Sequence, residues 1–89
     1  MLEDYKIKVF LTLVDTGSLT AAARRLGVTG PAVGAQLSAL EQHLGVELFH
    51  RSNTGLELTP SGDVFLGYAR RIQDAYDLAN RAFCNVFAK

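Results

Sequence analysis

Apolar positions in the first half of the chain recur at the three- and four-residue spacings of amphipathic helices. Between Asp4 and Asp15 this spacing predicts one helix, and Thr16-Gly17-Ser18 interrupts the pattern. Two further helices are predicted between residues 18 and 45. The apolar sides of the three helices are expected to form one core, made of Ile7, Phe10, Leu11, Val14, Leu19, Ala22, Ala23, Leu26, Val33, Leu37, Leu40 and Leu44.

The ends of the second and third helices are marked by residues with capping chemistry. Ser18 and Thr29 are predicted N-caps, because a hydroxyl oxygen accepts hydrogen bonds from the free N–H groups of a first helical turn. Pro31 lies in the first turn, where a missing N–H does no harm. Gly27 and Gly45 end the helices, since glycine adopts the left-handed conformation readily. Two helices joined this closely indicate a helix-turn-helix, whose second helix, residues 30–44, fits a DNA major groove.

The hydrophobic pattern changes after residue 45. Short apolar runs at residues 46–49 and 56–58 flank the turn-rich sequence Ser52-Asn53-Thr54-Gly55 and predict a β-hairpin. The next five residues, TPSGD, have the cap, the first-turn proline and the early acid of a helix start. Helix-compatible sequence then continues to about Phe87.

The last predicted helix has an apolar row along its whole length of roughly 40 Å. The row could pack wholly against the first helix, but that helix is less than half as long. We therefore predict a helix–helix dimer seam, formed by Phe65, Ala69, Ile72, Tyr76, Ala79, Phe83 and Val86.

Together these elements predict a mostly α fold. Residues 1–59 are expected to form a winged helix-turn-helix, with a three-helix core and a β-hairpin wing, and residues 60–89 a linker helix for dimerisation. With 89 residues the chain is one small domain, which buries a limited core and would gain stability from a dimer interface.

Composition narrows the possible functions. No apolar run is long enough to span a membrane and no signal-peptide pattern precedes the first helix, so a cytoplasmic location without membrane contact is expected. Cys84, His43 and His50 are too few for a metal or catalytic site, and Cys84 is interpreted as a bystander thiol. We therefore predict no cofactor, no metal and no enzyme activity.

The charge balance is unusual for a nucleic-acid-binding domain. Nine basic and nine acidic residues give a net charge of zero, whereas DNA-binding domains usually have a basic excess. The acids are therefore expected to lie away from bound nucleic acid. Several of them do fall in the two terminal segments: Glu3, Asp4, Asp15, Asp63, Asp74 and Asp77.

The side of helix 30–44 opposite its apolar arc is small and uncharged. It contains Pro31, Gly34, Ala35, Ser38 and Gln42, with Gly30 at its margin. Few of these residues offer long donors for base edges. The candidate readers are Thr29, Ser38 and Gln36, with apolar contact from Pro31 or Ala35 to a thymine methyl group. Gln36 lies near the core flank and is either a reader or a structural residue.

Two residues at the base of the predicted wing are candidates for phosphate contacts. His50 and Arg51 follow its first apolar run. Arg51 is either a contact to the DNA backbone or a solvated surface cation, and the adjacent helix-turn-helix favours the contact.

The order of motifs along the chain resembles the N-terminal DNA-binding domain of LysR-type transcriptional regulators. These motifs are GSLTAAARRLGVT, PAV, LSALEQHLGVELFHR, a wing, and LTPSG before a long helix. The resemblance implies a winged helix-turn-helix whose last helix pairs antiparallel with that of a second copy. It also implies a larger C-terminal domain that senses small-molecule inducers and is absent from this chain, and higher oligomers in a full-length protein. The chain is accordingly interpreted as an excised domain.

Residue by residue, the agreement with the family pattern is uneven. The positions that agree are Thr29, Pro31, Gln36, Leu40, Glu41, Leu44, Gly45, Leu48, Phe49, Arg51, Leu58, Thr59 and Gly62. The family commonly has glutamine, serine and a basic residue where this chain has Gly30, Gly34 and Ala35, and often an arginine near Thr54. The resemblance therefore implies the fold more firmly than it implies the mode of base recognition.

The predicted function is sequence-selective binding of a pseudo-palindromic promoter site by a homodimer, with helix 30–44 in the major groove. The alternative is a dimerisation or protein-interaction module that has kept the fold with weakened DNA binding. The residues predicted to face DNA are Ser18, Thr20, Arg24, Thr29, Gly30, Pro31, Gly34, Ala35, Gln36, Ser38, His50, Arg51 and Thr54.

Overall fold

The computed structural model describes residues 5–86, with side chains described up to residue 83. Four helices and one hairpin follow each other along this part of the chain. They are α1 (Tyr5–Thr16), α2 (Leu19–Leu26), α3 (Gly30–Leu44), β1 (Phe49–Ser52), β2 (Gly55–Leu58) and α4 (Pro60–Val86). The predictions for Asp4, Phe87 and the Cys84 side chain lie outside the described residues.

The predicted caps are confirmed. The Ser18 hydroxyl accepts from the Ala21 N–H at 3.0 Å, and the Thr29 hydroxyl accepts from the Ala32 N–H at 3.2 Å. Gly27 and Gly45 are both left-handed, with φ of 73° and 76°. The turn between α2 and α3 is therefore short, and the N–H groups of Gly27 and Val28 donate to carbonyl groups of α2.

The core lies between α1, α2, α3 and the start of α4. Ile7 and Phe10 are buried as predicted, whereas Leu11 and Val14 are only partly buried. Val9 and Leu13, absent from the predicted face, are fully buried. The reason is that α1 packs against three helices, α2, α3 and α4, so more of its circumference is covered than a single amphipathic face.

Leu44 is a second correction to the predicted core. The residue is 38% exposed, while Val33, Leu37 and Leu40 are buried. Leu44 is the last residue of α3 and lines an apolar groove with residues of α4. Leu48, the buried residue before β1, packs into the core in its place.

The predicted hairpin is present but starts later than expected. Residues 46 and 47 are not in a strand, and β1 pairs antiparallel with β2 from Phe49↔Leu58 to Ser52↔Gly55. Gly55 has a φ of 130°, and a Cβ there would lie 2.6 Å from the Gly17 carbonyl oxygen. The neighbouring Leu56 N–H donates to that same oxygen at 3.0 Å. The hairpin is thus attached to the turn between α1 and α2.

The start of α4 is fixed by a cap and by close packing. The Thr59 hydroxyl donates to the Glu47 carbonyl at 2.6 Å and accepts from the Gly62 N–H at 2.9 Å. Gly62 is buried against the Leu48 carbonyl, with which any Cβ would collide, and a Cβ would also lie 2.9 Å from Leu58 Cδ2. This position therefore requires glycine because of packing rather than φ.

The first half of α4 belongs to the protomer's own core. Phe65 packs on Phe10 with ring centroids 5.0 Å apart, and Phe10 in turn packs on Phe49 at 5.4 Å. Ala69 is completely buried. Beyond these residues α4 extends away from the core, which gives the molecule its longest dimension of 48 Å.

Candidate nucleic-acid interface

The outer face of α3 is exposed over its whole length. Pro31, Ala35 and Ser38 are exposed along this face, and Gly34 and Gly30 are half-buried beside it. The buried residues of α3 lie on the opposite side. The predicted division of this helix into a buried core face and an exposed outer face is therefore confirmed.

Neither glycine of this face is needed for packing. A Cβ at Gly30 or Gly34 would meet nothing within 4 Å, and both positions have helical backbone. The space next to these residues is open to whatever approaches α3. Gln36 is half-buried at the edge of the face, so both interpretations of this residue remain.

A second group of candidates surrounds the junction of the hairpin with α2. Ser18, the N-cap of α2, and Arg51 of β1 line one cleft of about 320 Å³. In the hairpin register Arg51 lies opposite Leu56, which packs against the core, so both side chains are on the face directed toward α2. The structure therefore brings the Arg51 cation next to the start of the helix-turn-helix.

The other candidates in the hairpin are placed differently. His50 lies opposite Glu57, on the other face of the hairpin from Arg51. Thr54, in the exposed hairpin turn, has its hydroxyl 3.0 Å from the Ser52 hydroxyl. Because Glu57 lies opposite His50, the electrostatic surroundings of His50 are less positive than those of Arg51.

The candidates in α2 are exposed. Thr20 lies in the first turn, and Arg24 and Arg25 lie in the last turn. Arg25 is 3.8 Å from the Asp15 carboxylate, a surface ion pair of little energetic weight. Arg24, the predicted DNA contact of α2, is exposed and lies outside this pair.

Glu41 has a structural role that the sequence did not predict. Its carboxylate accepts from the Leu48 N–H at 2.7 Å and from the Phe49 N–H at 3.4 Å. The acid is therefore directed at the start of β1 rather than outward, and it joins α3 to the hairpin. The contact spans seven residues with an irregular segment between them, so no helical or strand periodicity indicates it.

The exposed apolar row of α4 differs from the predicted seam in its first half. Phe65 and Ala69 face the core, and the exposed large apolar residues at that level of α4 are Val64 and Tyr68. Further along, Ile72 is 44% exposed and Phe83 is 61% exposed, whereas Tyr76 and Ala79 are half-buried. The Val86 side chain lies outside the described residues. The exposed row thus consists of Val64, Tyr68, Ile72, Ala75 and Phe83, together with the half-buried Ala79.

An apolar groove adjoins the first half of this row. Its lining includes Leu44, Val46, Val64, Phe65 and Tyr68, and its volume is about 490 Å³. The exposed side of Leu44 thus contributes to a surface that continues onto α4.

Two other features are absent from the described residues. None of their helices combines the length and the apolar character needed to cross a bilayer. Their histidine, cysteine and acidic side chains also form no cluster of three that could hold a metal ion.

Comparison with known proteins identifies the family. Residues 5–63 match the model of the bacterial regulatory helix-turn-helix proteins of the lysR family. The transcriptional regulator TfdS of Cupriavidus pinatubonensis is 48% identical over 71 residues, which cover 80% of this chain and 24% of that protein. This chain therefore spans about a quarter of the length of the curated relatives it matches.

Solved structures show the same architecture. The CbnR DNA-binding domain in complex with DNA has a TM-score of 0.80 at 44% identity, covering 90% of this chain and 88% of that one. The BenM DNA-binding domain with catB site 1 DNA has a TM-score of 0.89 at 26% identity, covering 96% of both chains. TfdS and CbnR are both named as transcriptional regulators. The chain belongs to the LysR family of bacterial regulatory helix-turn-helix proteins, and residues 5–63 are its helix-turn-helix domain.

Proposed function

We propose that this chain is the DNA-binding part of a transcriptional regulator and binds double-stranded DNA as a homodimer. In this proposal α3 enters the major groove and the hairpin meets the adjacent backbone. The observation that supports it best is the outer face of α3, which is exposed and uncharged, while the one acid of that helix, Glu41, is directed into the fold. The exposed Glu47 borders only the C-terminal end of this face, beside Ser38 and Gln42. A duplex that approaches the first two turns of α3 would therefore meet no carboxylate from that helix.

The local charge favours DNA despite the neutral total. Between residues 16 and 40 the only charged side chains are Arg24 and Arg25, and Arg51 lies beside the start of α2. Free N–H groups at the starts of α2 and α3, with the hydroxyls of Thr20 and Thr29, would add neutral phosphate contacts. With two to three cationic contacts per protomer, a dimer would show a slope of log affinity against log salt of roughly −4 to −5.

The exposed row of α4 suggests how two copies pair. Val64 and Phe83, Tyr68 and Ala79, and Ile72 and Ala75 are each symmetric about the midpoint between residues 73 and 74. In an antiparallel pair with a two-fold axis at that midpoint, each residue would face its counterpart. A large side chain would then lie opposite a small one at two of the three levels, which permits close packing.

The apolar groove completes this interface in the proposal. At that register Phe83 of a second copy would lie over Val64, which lines the groove together with Leu44 and Val46. Phe83 is 61% exposed, so its burial there would remove apolar area from water on both copies. Because of the two-fold symmetry, the same contact between Phe83 and Val64 would form at both ends of the antiparallel pair.

A second candidate function is supported by the same recognition face. Its small side chains offer few hydrogen bonds to bases, which fits a dimerisation module that has kept the fold with weakened DNA binding. The two candidates differ in the affinity of the protein for duplex DNA at low salt.

The test combines selection with a salt titration. A duplex pool with 30 random base pairs is put through rounds of selection by the purified chain, and binding of the enriched duplexes is measured by fluorescence anisotropy at several salt concentrations. The proposed function predicts enrichment of two related half-sites and a slope near the value above. No enrichment together with no binding at low salt would overturn it in favour of the interaction module.

For the longer protein to which such a module would belong, we propose a cytoplasmic regulator whose further domain binds a small-molecule inducer. Support for this comes from the relatives, of which the 71 matched residues make up 24%, and which are named as transcriptional regulators.

A further inference from the structure

The outer face of α3 suggests which chemical feature of a base pair this helix distinguishes. This inference rests on the proposed function, because it concerns how the surface that meets DNA discriminates between sequences. The first two turns of α3 present Pro31, Ala32 and Ala35 as exposed side chains, with open space beside Gly30 and Gly34. The exposed surface is therefore apolar and lies close to the helix backbone.

Hydrogen-bonding side chains are scarce at this end of the helix. The Thr29 hydroxyl already accepts from the Ala32 N–H, and Gln36 is half-buried at the edge of the face. Ser38, the next polar residue on the face, lies about one turn beyond Ala35. Bidentate contacts to base edges, the usual source of strong discrimination, therefore have no long side chain to form them on this part of α3.

One feature of the major groove is apolar, and it is the C5-methyl group of thymine. Cytosine has a hydrogen at the same position, and 5-methylcytosine has the methyl group. A surface of proline and alanine side chains gains free energy by covering a methyl group and gains much less from a hydrogen at that place. The absence of side chains at Gly30 and Gly34 allows the approach that such contact needs.

We propose that α3 distinguishes base pairs by the C5-methyl groups of pyrimidines, and that it accepts 5-methylcytosine as well as thymine at the contacted positions. Recognition then follows the methyl group and not the hydrogen-bond pattern of the base pair. The site would consequently respond to cytosine methylation of the DNA.

The experiment separates the methyl group from the hydrogen-bond pattern. A duplex enriched from the random pool is synthesised with four alternatives at each thymine of one half-site: T·A, deoxyuridine·A, 5-methylcytosine·G and C·G. T·A and deoxyuridine·A share a hydrogen-bond pattern, as do the two cytosine pairs. Deoxyuridine in the spacer between the half-sites is the matched control for changes in stacking.

At contacted positions we expect T·A and 5-methylcytosine·G to bind alike. Deoxyuridine·A and C·G should bind about fourfold more weakly per position, the factor that corresponds to about 0.8 kcal/mol for one buried methyl-sized group. Affinities that sort instead by hydrogen-bond pattern would overturn the inference and leave the proposed function intact. If no duplex is enriched and none is bound at low salt, the proposed function and the inference both fail.

A protein variant locates the contact. Ala35→Gly removes the methyl group at the centre of the exposed face and should abolish the difference between thymine and deoxyuridine at one position of the half-site. The thymine-to-deoxyuridine ratio is measured within one protein, so a loss of helix stability cancels from the comparison. An unchanged ratio at every position in Ala35→Gly, with the ratio also unchanged in Pro31→Ala, would contradict the assignment.

Discussion

Replacing Glu41 should destabilise the fold through the start of the hairpin rather than through the core. The carboxylate accepts from the Leu48 N–H at 2.7 Å and from the Phe49 N–H at 3.4 Å, next to two buried side chains. Hydrogen bonds to charged groups contribute about 1.5–3 kcal/mol, and leaving a buried donor unsatisfied costs a similar amount. Glu41→Ala should therefore lower the free energy of unfolding by about 2–3 kcal/mol, or the melting temperature by roughly 10–20 °C in a domain of this size.

Denaturant unfolding followed by circular dichroism at one fixed protomer concentration measures this change, because a dimer's stability depends on concentration. Glu47→Ala is the matched control, since it removes the same charge from an exposed side chain six residues later. Glu41→Gln retains an acceptor oxygen and should recover part of the loss. If Glu41→Ala and Glu47→Ala were equally stable, the carboxylate would not be fixing the start of the hairpin.

Three further predictions follow from the other contacts. Gly62→Ala should lower the free energy of unfolding by about 1–3 kcal/mol, because the added methyl group overpacks against the Leu48 carbonyl. The control Gly67→Ala, whose methyl group would meet nothing within 4 Å, should raise it by up to about 1 kcal/mol. If urea titrations gave the reverse order of stabilities, the close packing of Gly62 would be contradicted. Arg51→Ala should weaken all duplex DNA and flatten the salt slope of anisotropy titrations by roughly 2 per dimer, with Arg81→Ala unchanged. Ile72→Glu should give monomers in sedimentation equilibrium and Arg81→Glu, on the opposite side of α4, should stay dimeric; a dimeric Ile72→Glu protein would refute the proposed seam.

Local chemistry explains why the helix ends were predictable. A hydroxyl at Ser18 or Thr29 and a glycine at position 27 act on backbone groups within three or four residues, so the sequence contains the whole interaction. The buried face of α3 was predictable as far as Leu40, because helical spacing alone places Val33, Leu37 and Leu40 on one side of the helix. Leu44 continues the same spacing but is 38% exposed and lines the apolar groove beside α4 instead of the core.

Predictions that depended on tertiary contacts were less accurate. On α4 the rows that begin at Phe65 and at Val64 share Ile72, Ala79 and Phe83, so spacing alone does not decide which row packs on α1. The Phe65–Phe10 contact decides it. The hydrogen bonds of the Glu41 carboxylate and the close packing of Gly62 involve residues outside their own helices. Spacing within one helix therefore did not predict either contact. Gly30, Gly34 and Ala35 differ from the residues common in the family at these positions, so the resemblance gives little information on how this helix would contact bases.

The open space beside Gly30 and Gly34 has a consequence for how the protein could evolve. All residues of α3 that hold the core together lie on its other side, and a new side chain at either glycine would meet nothing within 4 Å. Substitutions there are close to neutral for folding, and they change the part of the surface that a duplex would meet. Under the proposed function, substitutions at these two positions could therefore change which DNA sequences are bound without compensating mutations elsewhere in the domain.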